Sequence, residues 1–214
     1  MILPKYPHGK QTEQLSFQQV QEKVKANEKH LSREALAYFW LLYYSGARKS
    51  EIYEITVEDC QITENHFIIN INRKKGSAQV PALELPLWFP GMNGVCAQLE
   101  KAQQYRKKRK LLEKSTKGIR TTERVKARWL FPYVNRSWAG SIVKLILGSN
   151  YYPHFLRLNR ITEICTDPET NLTRIKSFTG IKSTRIIEEN YMGVSKKEQK
   201  SAVSFIGKQI KKEG

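Results

Sequence analysis

Two arginines and a histidine in this sequence stand where helices start or stop, and side chains so placed can hold an anion. In Tyr43-Tyr44-Ser45-Gly46-Ala47-Arg48-Lys49-Ser50-Glu51 an apolar run stops at a glycine, and Arg48 follows at the corner before helical spacing resumes over residues 50–55. A guanidinium fixed at such a corner is a planar fork for phosphate or carboxylate; the alternative is an arginine whose stem covers apolar surface and whose head sits in water. His154 and Arg157 follow Pro153, which suits the first position of a helix, and lie three apart on one face. They can grip one anion together, or be a helix-start histidine beside a solvent-facing arginine. Arg73, Lys74 and Lys75 occupy the tip of a β-hairpin, where cations either blunt an exposed sheet edge or deliver an ammonium into a groove.

These side chains need elements to position them, and periodicity supplies candidates. Ser16 and Gln19 form a capping box that starts a helix over about residues 16–26, with Phe17, Val20 and Val24 on one face. Residues 31–44 read as a helix with Ala35, Phe39 and Leu42 on one side, ended by a left-handed Gly46. From Thr56 the period changes: Val57, Ile62, Phe67, Ile69 and Ile71 lead to a Gly76-Ser77 turn, and Val80 to Leu83 lead away from it, the pattern of a hairpin. Pro86, Pro90, Gly91 and Gly94 mark a loop before another helix. Ile142, Val143, Ile146 and Leu147 mark one ended by Gly148. Asp167-Pro168 predicts an N-cap with proline at the first helical position, opening a helix over Leu172, Ile175 and Phe178 that ends at Gly180. Ser183 is placed to cap a helix carrying Ile187 and Tyr191 four apart, and Ser195 to Glu198 is a second capping box before the stripe Val203, Ile206 and Ile210.

The 214 residues are 40% hydrophobic, enough for a core, and read as one domain. With 37 Lys and Arg against 20 Asp and Glu the formal charge is +17, which favours a polyanionic partner, nucleic acid before membrane. The most basic part is residues 101–128, with twelve Lys or Arg, among them Arg106, Lys107, Lys108, Arg109 and Lys110, against Glu113 and Glu123. It is either a solvated run or one that follows a DNA backbone. No apolar run reaches the length of a membrane span, and the first residues turn polar too soon for a signal peptide, so a cytoplasmic protein is expected. Cys60, Cys96 and Cys165 are odd in number and far apart, and with four histidines they signal neither a disulfide frame nor a metal site. They read as reduced, mostly buried thiols.

The order of these motifs resembles the catalytic domain of the tyrosine recombinases, the phage-integrase family, over about residues 13–214. Gly46-Ala47-Arg48-Lys49-Ser50-Glu51 is similar to its first arginine box, which continues to an aspartate such as Asp59. Lys74, seven residues before Pro81, resembles its hairpin lysine, with Lys75 the alternative; His154-Phe155-Leu156-Arg157 resembles its second box, and Tyr191 its nucleophile. The chain departs from the pattern at Ile181, where the family carries a histidine or tryptophan, and at Leu158, where a second histidine is common. The spacing from Gly180 to Tyr191 is one residue longer than usual.

The resemblance implies an α+β, mainly helical catalytic-domain fold with a small antiparallel β-sheet or hairpin. Residues 1–12, with Pro4, Pro7 and Gly9 among polar residues and no periodicity, read as a flexible arm, and the resemblance implies a catalytic domain over 13–214, without the N-terminal core-binding domain usual in the family. The activity implied is site-specific cutting and rejoining of DNA through a 3′-phosphotyrosine, as in integration by phage or mobile elements, with neither metal nor cofactor. Arg48 and Arg157 would stabilise charge on the phosphate, His154 accept a proton or hold the phosphate, Lys74 protonate the leaving oxygen, and Tyr191 attack. The implied partner is double-stranded DNA at a recombination site, bound by a homo-oligomer of two to four copies in the host cytoplasm or nucleoid. A rival expectation is a degenerate relative that binds DNA without turnover; a plain basic RNA-binding domain would explain the charge but not the five positions.

Overall fold

The computed structural model of the chain describes residues 13–73, 80–115, 128–167, 169–185 and 187, with backbone alone for 107–115 and 166. Among them the fold is mainly helical with one small antiparallel sheet. The arm expected at 1–12, the hairpin tip with Lys74 and Lys75, and the segment with Tyr191 and the last capping box lie outside the described residues.

Helix α1, Phe17–Asn27, starts at the capping box read from sequence: the Ser16 hydroxyl accepts Gln19 N–H and the Gln19 side chain accepts Ser16 N–H. Helix α2, Arg33–Ser45, is capped by Ser32 and stops at Gly46, whose φ of 53° is left-handed. A Cβ at Gly46 would stand 3.1 Å from Phe178, so both conformation and space call for glycine. The spacing predicts one apolar face on α2, yet the helix is buried all round, from Ala35 through Tyr44 apart from Leu36. It tolerates this because its tyrosines find acceptors at its flanks: Tyr44 Oη donates to Pro90 O at 2.9 Å and Tyr38 Oη to Lys49 O at 3.4 Å.

Short helix α3, Lys49–Tyr53, and a 3₁₀ turn at Val57–Asp59 lead to the sheet. Asp59 is spent on that turn, accepting both the N–H and the hydroxyl of Thr56. Strands β1 (Cys60–Ile62), β2 (His66–Ile69) and β3 (Leu83–Pro86) pair in the order β1-β2-β3, with Phe67 opposite Ile62 and Leu85. The alternating run read as one hairpin arm thus folds back once more at residues 63–65, where Thr63 N–H donates to His66 O at 2.9 Å.

Helix α4, Met92–Ser115, begins against α2: a Cβ on Gly91 would fall 2.0 Å from Trp40 Cδ1, so only glycine lets the indole stack on Tyr44. Helix α5, Arg136–Leu147, is capped by Asn135 and ends at Gly148 as the sequence predicts. Helix α6, Pro153–Thr166, starts with proline at its first turn. Helix α7, Leu172–Thr179, begins four residues later than the predicted Asp167-Pro168 start. Asp167 instead closes α6 and accepts Thr170 N–H in a turn, while Asn171 does the capping by accepting Arg174 N–H at 2.9 Å. The two are competing Asx signals, and the one nearest the apolar stripe caps it.

One core forms where α2 meets α4, α6 and the sheet; a smaller cluster of Ile161, Ile175 and Ile187 joins α6 to α7. Cys60 is buried, whereas Cys96 and Cys165 are half-buried, so one thiol of three meets the expectation in full.

Candidate phosphate-binding site

The corner after α2 forms as its sequence dictates. Gly46 turns the chain, Ala47 is buried, and Arg48 takes an extended conformation (φ −73°, ψ 149°) as the N-cap of α3. Glu51, three residues into α3, reaches back: one carboxylate oxygen accepts Arg48 N–H at 2.9 Å and the other accepts Arg48 Nη1 at 2.7 Å. The Glu51 side chain is fully buried while that of Arg48 is 33% exposed, so the carboxylate anchors a side chain that stays partly open to solvent.

Arg157 lies one turn into α6 and is buried, 2% exposed. Its Nη1 donates to Gly46 O at 2.5 Å and its Nη2 to Thr179 O at 3.2 Å. Both carbonyls belong to helix C-termini, where backbone oxygens lack intrahelical donors and the helix dipole is negative. A buried guanidinium is stable there because it fills both needs.

His154 stands three residues before Arg157, at the start of α6, and keeps an exposed face. Partial burial holds its pKa below the ordinary histidine value, and the charges of Arg157 and Arg48 lower it further. Neutral imidazole is therefore the favoured form at pH 7, and a neutral ring nitrogen can accept a proton. The same coupling shows that three of the five sequence-predicted residues share one electrostatic neighbourhood, although Arg48 and His154 are 106 positions apart. Lys74, Lys75 and Tyr191 lie outside the described residues.

Two residues to which sequence reasoning gave no role in the site belong here. Glu51 was visible as part of the arginine box, and its reach back over three positions is a capping-box spacing. Arg73, read as an edge cation, is instead buried and donates to Glu51, to Ser45 O and to Phe178 O. No sequence signal marks it, since its partners come from two distant stretches, residues 45–51 and Phe178.

Ile181, where a hydrogen-bonding side chain is expected from the family, packs against the cluster of Ile161, Ile175 and Ile187. Its backbone N–H donates to Thr179 Oγ1 at 3.1 Å. Of the basic stretch, Arg106 lies on α4 and pairs with Glu58 at a solvent-exposed rim. Lys107, Lys108, Arg109 and Lys110 continue the helix, and their side chains lie outside the described residues. Among the described residues no group of three or more His, Cys, Asp or Glu could hold a metal ion, and no helix is long and apolar enough to cross a membrane.

No protein-family model matches the chain, and no curated protein sequence is similar to it. Solved structures are similar in fold. The crystal structure of XerA recombinase matches with a TM-score of 0.54 at 17% identity, over 94% of this chain and 65% of that one. XerH site-specific recombinase bound to its difH substrate, in a pre-cleavage complex, matches with a TM-score of 0.59 at 15% identity, over 89% of this chain and 53% of that one. A post-cleavage complex of XerH with palindromic difH gives 0.56 at 15% identity, over 89% and 52%. The chain thus spans between about half and two thirds of the length of these recombinases and shares their fold.

Proposed function

We propose that the protein is a site-specific DNA recombinase of the tyrosine type, which cuts and rejoins strands through a 3′-phosphotyrosine. The observation that carries this reading is the gathering of Arg48 with His154 and Arg157, from two segments more than a hundred positions apart, at the place where α2 ends and α6 begins. The likeness in fold to recombinases crystallised with DNA supports it.

The chemistry follows from the charges. A phosphodiester under attack gains negative charge on its non-bridging oxygens, and preorganised guanidiniums stabilise that charge without reorganising at the moment of reaction. Arg48, held by Glu51 and partly exposed, would meet the phosphate. Arg157 supplies a second fixed charge beneath it. The phenolic oxygen of Tyr191 forms the bond to phosphorus, the bond to the 5′ oxygen breaks, and a proton passes to that oxygen from Lys74, or Lys75 in its place. The tyrosyl proton goes to neutral His154 or to solvent. The phosphotyrosyl link keeps the energy of the diester, so a 5′ hydroxyl of another strand can reverse it. The +17 charge and the basic helix α4 suit a duplex partner, gripped by two to four copies of the chain.

Trapping on a nicked duplex tests the reading. The wild type is expected to leave a protease-resistant adduct on the 3′ phosphate, and Tyr191→Phe to bind the DNA without one. An adduct on another tyrosine would refute the assignment. The packing of Ile181 into the isoleucine cluster favours a second reading, a DNA-binding relative without turnover; tight binding with no adduct in the wild type would select it.

A further inference from the structure

The side chain of Arg73 is 3% exposed, an unusual place for a cation beside a hairpin tip. Burial pulls its pKa down, the carboxylate of Glu51 pulls it up, and Arg48 opposes. It remains charged because an arginine stays protonated across any accessible pH. Its Nη1 donates to Glu51 at 3.2 Å, and its Nη2 is shared between Phe178 O at 3.0 Å and Ser45 O at 3.4 Å. An edge-blunting arginine would keep its head in water; this head is spent on three elements at once.

The partners of Glu51 give the arrangement its consequence. One oxygen of Glu51 accepts Arg48 Nη1, and the other accepts both Arg48 N–H and Arg73 Nη1. Arg73 thus sits on the side of the carboxylate opposite the Arg48 guanidinium and fixes the plane in which that guanidinium is held. Arg73 adds a donor, itself tied to two backbone carbonyls, to a fully buried carboxylate that holds a long side chain 33% exposed. The carboxylate cannot turn away without breaking its bond to Arg73 Nη1, and the other terminal nitrogen of that guanidinium is tied to the ends of α2 and α7.

We infer that Arg73 is a positioning residue: it clamps Glu51 and the C-termini of α2 and α7, and so holds Arg48 in the orientation that meets a phosphate. The inference rests on the recombinase reading for its functional half, while its structural half concerns the order of the Arg48 side chain alone.

The test uses the full chain with Arg73→Lys, which keeps the charge on one nitrogen unable to span three acceptors, and Arg73→Met, which keeps the stem. The first readout, free of DNA, is the side-chain NMR signal of Arg48 and its protection from hydrogen exchange. The second is the single-turnover rate of adduct formation on a nicked duplex, set against affinity for the same duplex. Both variants are expected to lose Arg48 protection and to slow adduct formation by about 10²-fold, the scale of a small misplacement of a catalytic group, with affinity unchanged. Adding Glu51→Gln to Arg73→Lys is expected to slow it little further, because the two act in one chain of bonds. A folded Arg73→Lys protein with Arg48 protected and the rate intact would overturn the inference. Should the Arg73 variants unfold, Glu51→Gln alone decides: Arg48 still ordered would equally overturn it. A wild type that forms no adduct would count against the recombinase reading, while the Arg48 signal still decides the role of Arg73.

Discussion

Arg157 Nη1 donates to the carbonyl oxygen of Gly46 across 111 positions of sequence. The same guanidinium takes Thr179 O, while Arg73 takes Ser45 O and Phe178 O. Two buried arginines therefore pin successive carbonyls at the end of α2 to successive carbonyls at the end of α7. Left-handed glycines, Gly46 and Gly180, end both helices and turn the chain away.

Removing Arg157 takes the guanidinium donor from two of those carbonyls. Each buried unsatisfied group costs about 1–3 kcal/mol, so Arg157→Ala is expected to lower stability by roughly 2–6 kcal/mol in urea melts. Loss of activity with unchanged stability would mean that its structural bonds are not the ones described.

Asn159, on α6, holds the chain entry to α1. Its carbonyl accepts Leu15 N–H at 2.9 Å and its amide donates to Leu15 O at 2.9 Å, a side chain acting as a strand partner in a buried place. Asn159→Asp sets a carboxylate against the Leu15 carbonyl. It is expected to cost about 2–3 kcal/mol and to speed hydrogen exchange at Leu15, measured residue by residue; unaltered exchange there would contradict it.

His154 gives a pH signature. Its folded pKa is depressed by burial, then by Arg157 and Arg48. The unfolded chain then binds the proton more readily, so stability from this group is fully present above the unfolded pKa of about 6.5 and is lost as pH falls through the folded value. An imidazole NMR titration is expected to place the midpoint below the ordinary value, and Arg48→Gln to move it upward. A midpoint that ignores Arg48 would separate the two residues.

Ile181→His tests whether a missing donor can simply be restored. Because Ile181 packs with Ile161, Ile175 and Ile187, the polar ring is expected to cost about 1–2 kcal/mol of packing and to leave the cleavage rate no higher than wild type. Faster adduct formation with an intact melt would show that the position can face phosphate.

Reversal of Arg106, Lys107, Lys108 and Arg109 to glutamate probes the basic helix. If these residues follow the DNA backbone, binding falls for all duplexes alike, and the salt slope flattens by about 0.9 for each phosphate they no longer neutralise. Equal affinity and slope would make this part of α4 a solvated face.

Much of the site was legible from local chemistry. The Ser16–Gln19 capping box, the Gly46 helix end, the Arg48 corner, and the Pro153 start that sets His154 and Arg157 on one face each depend on interactions within about four residues, the reach of a helical turn. Those features appear where the sequence places them. The start of α7 did not, because Asp167 and Asn171 are both good caps, and only the packing of Leu172 and Ile175 against α6 separates them.

The tertiary structure alone decided what the charged residues do. Nothing within four positions of Arg73 distinguishes a buried clamp from an edge cation; Glu51, Ser45 and Phe178 stand 22, 28 and 105 positions away. The same holds for Asn159, whose partner is 144 positions distant, and for Ile181, whose apolar neighbours claim it. Sequence determined which helices form and where they end, since caps and periodicity are local. Which exposed-looking arginine would go inside depended on where two helix C-termini came together with their carbonyls unpaired, and that meeting exists only once the chain has folded.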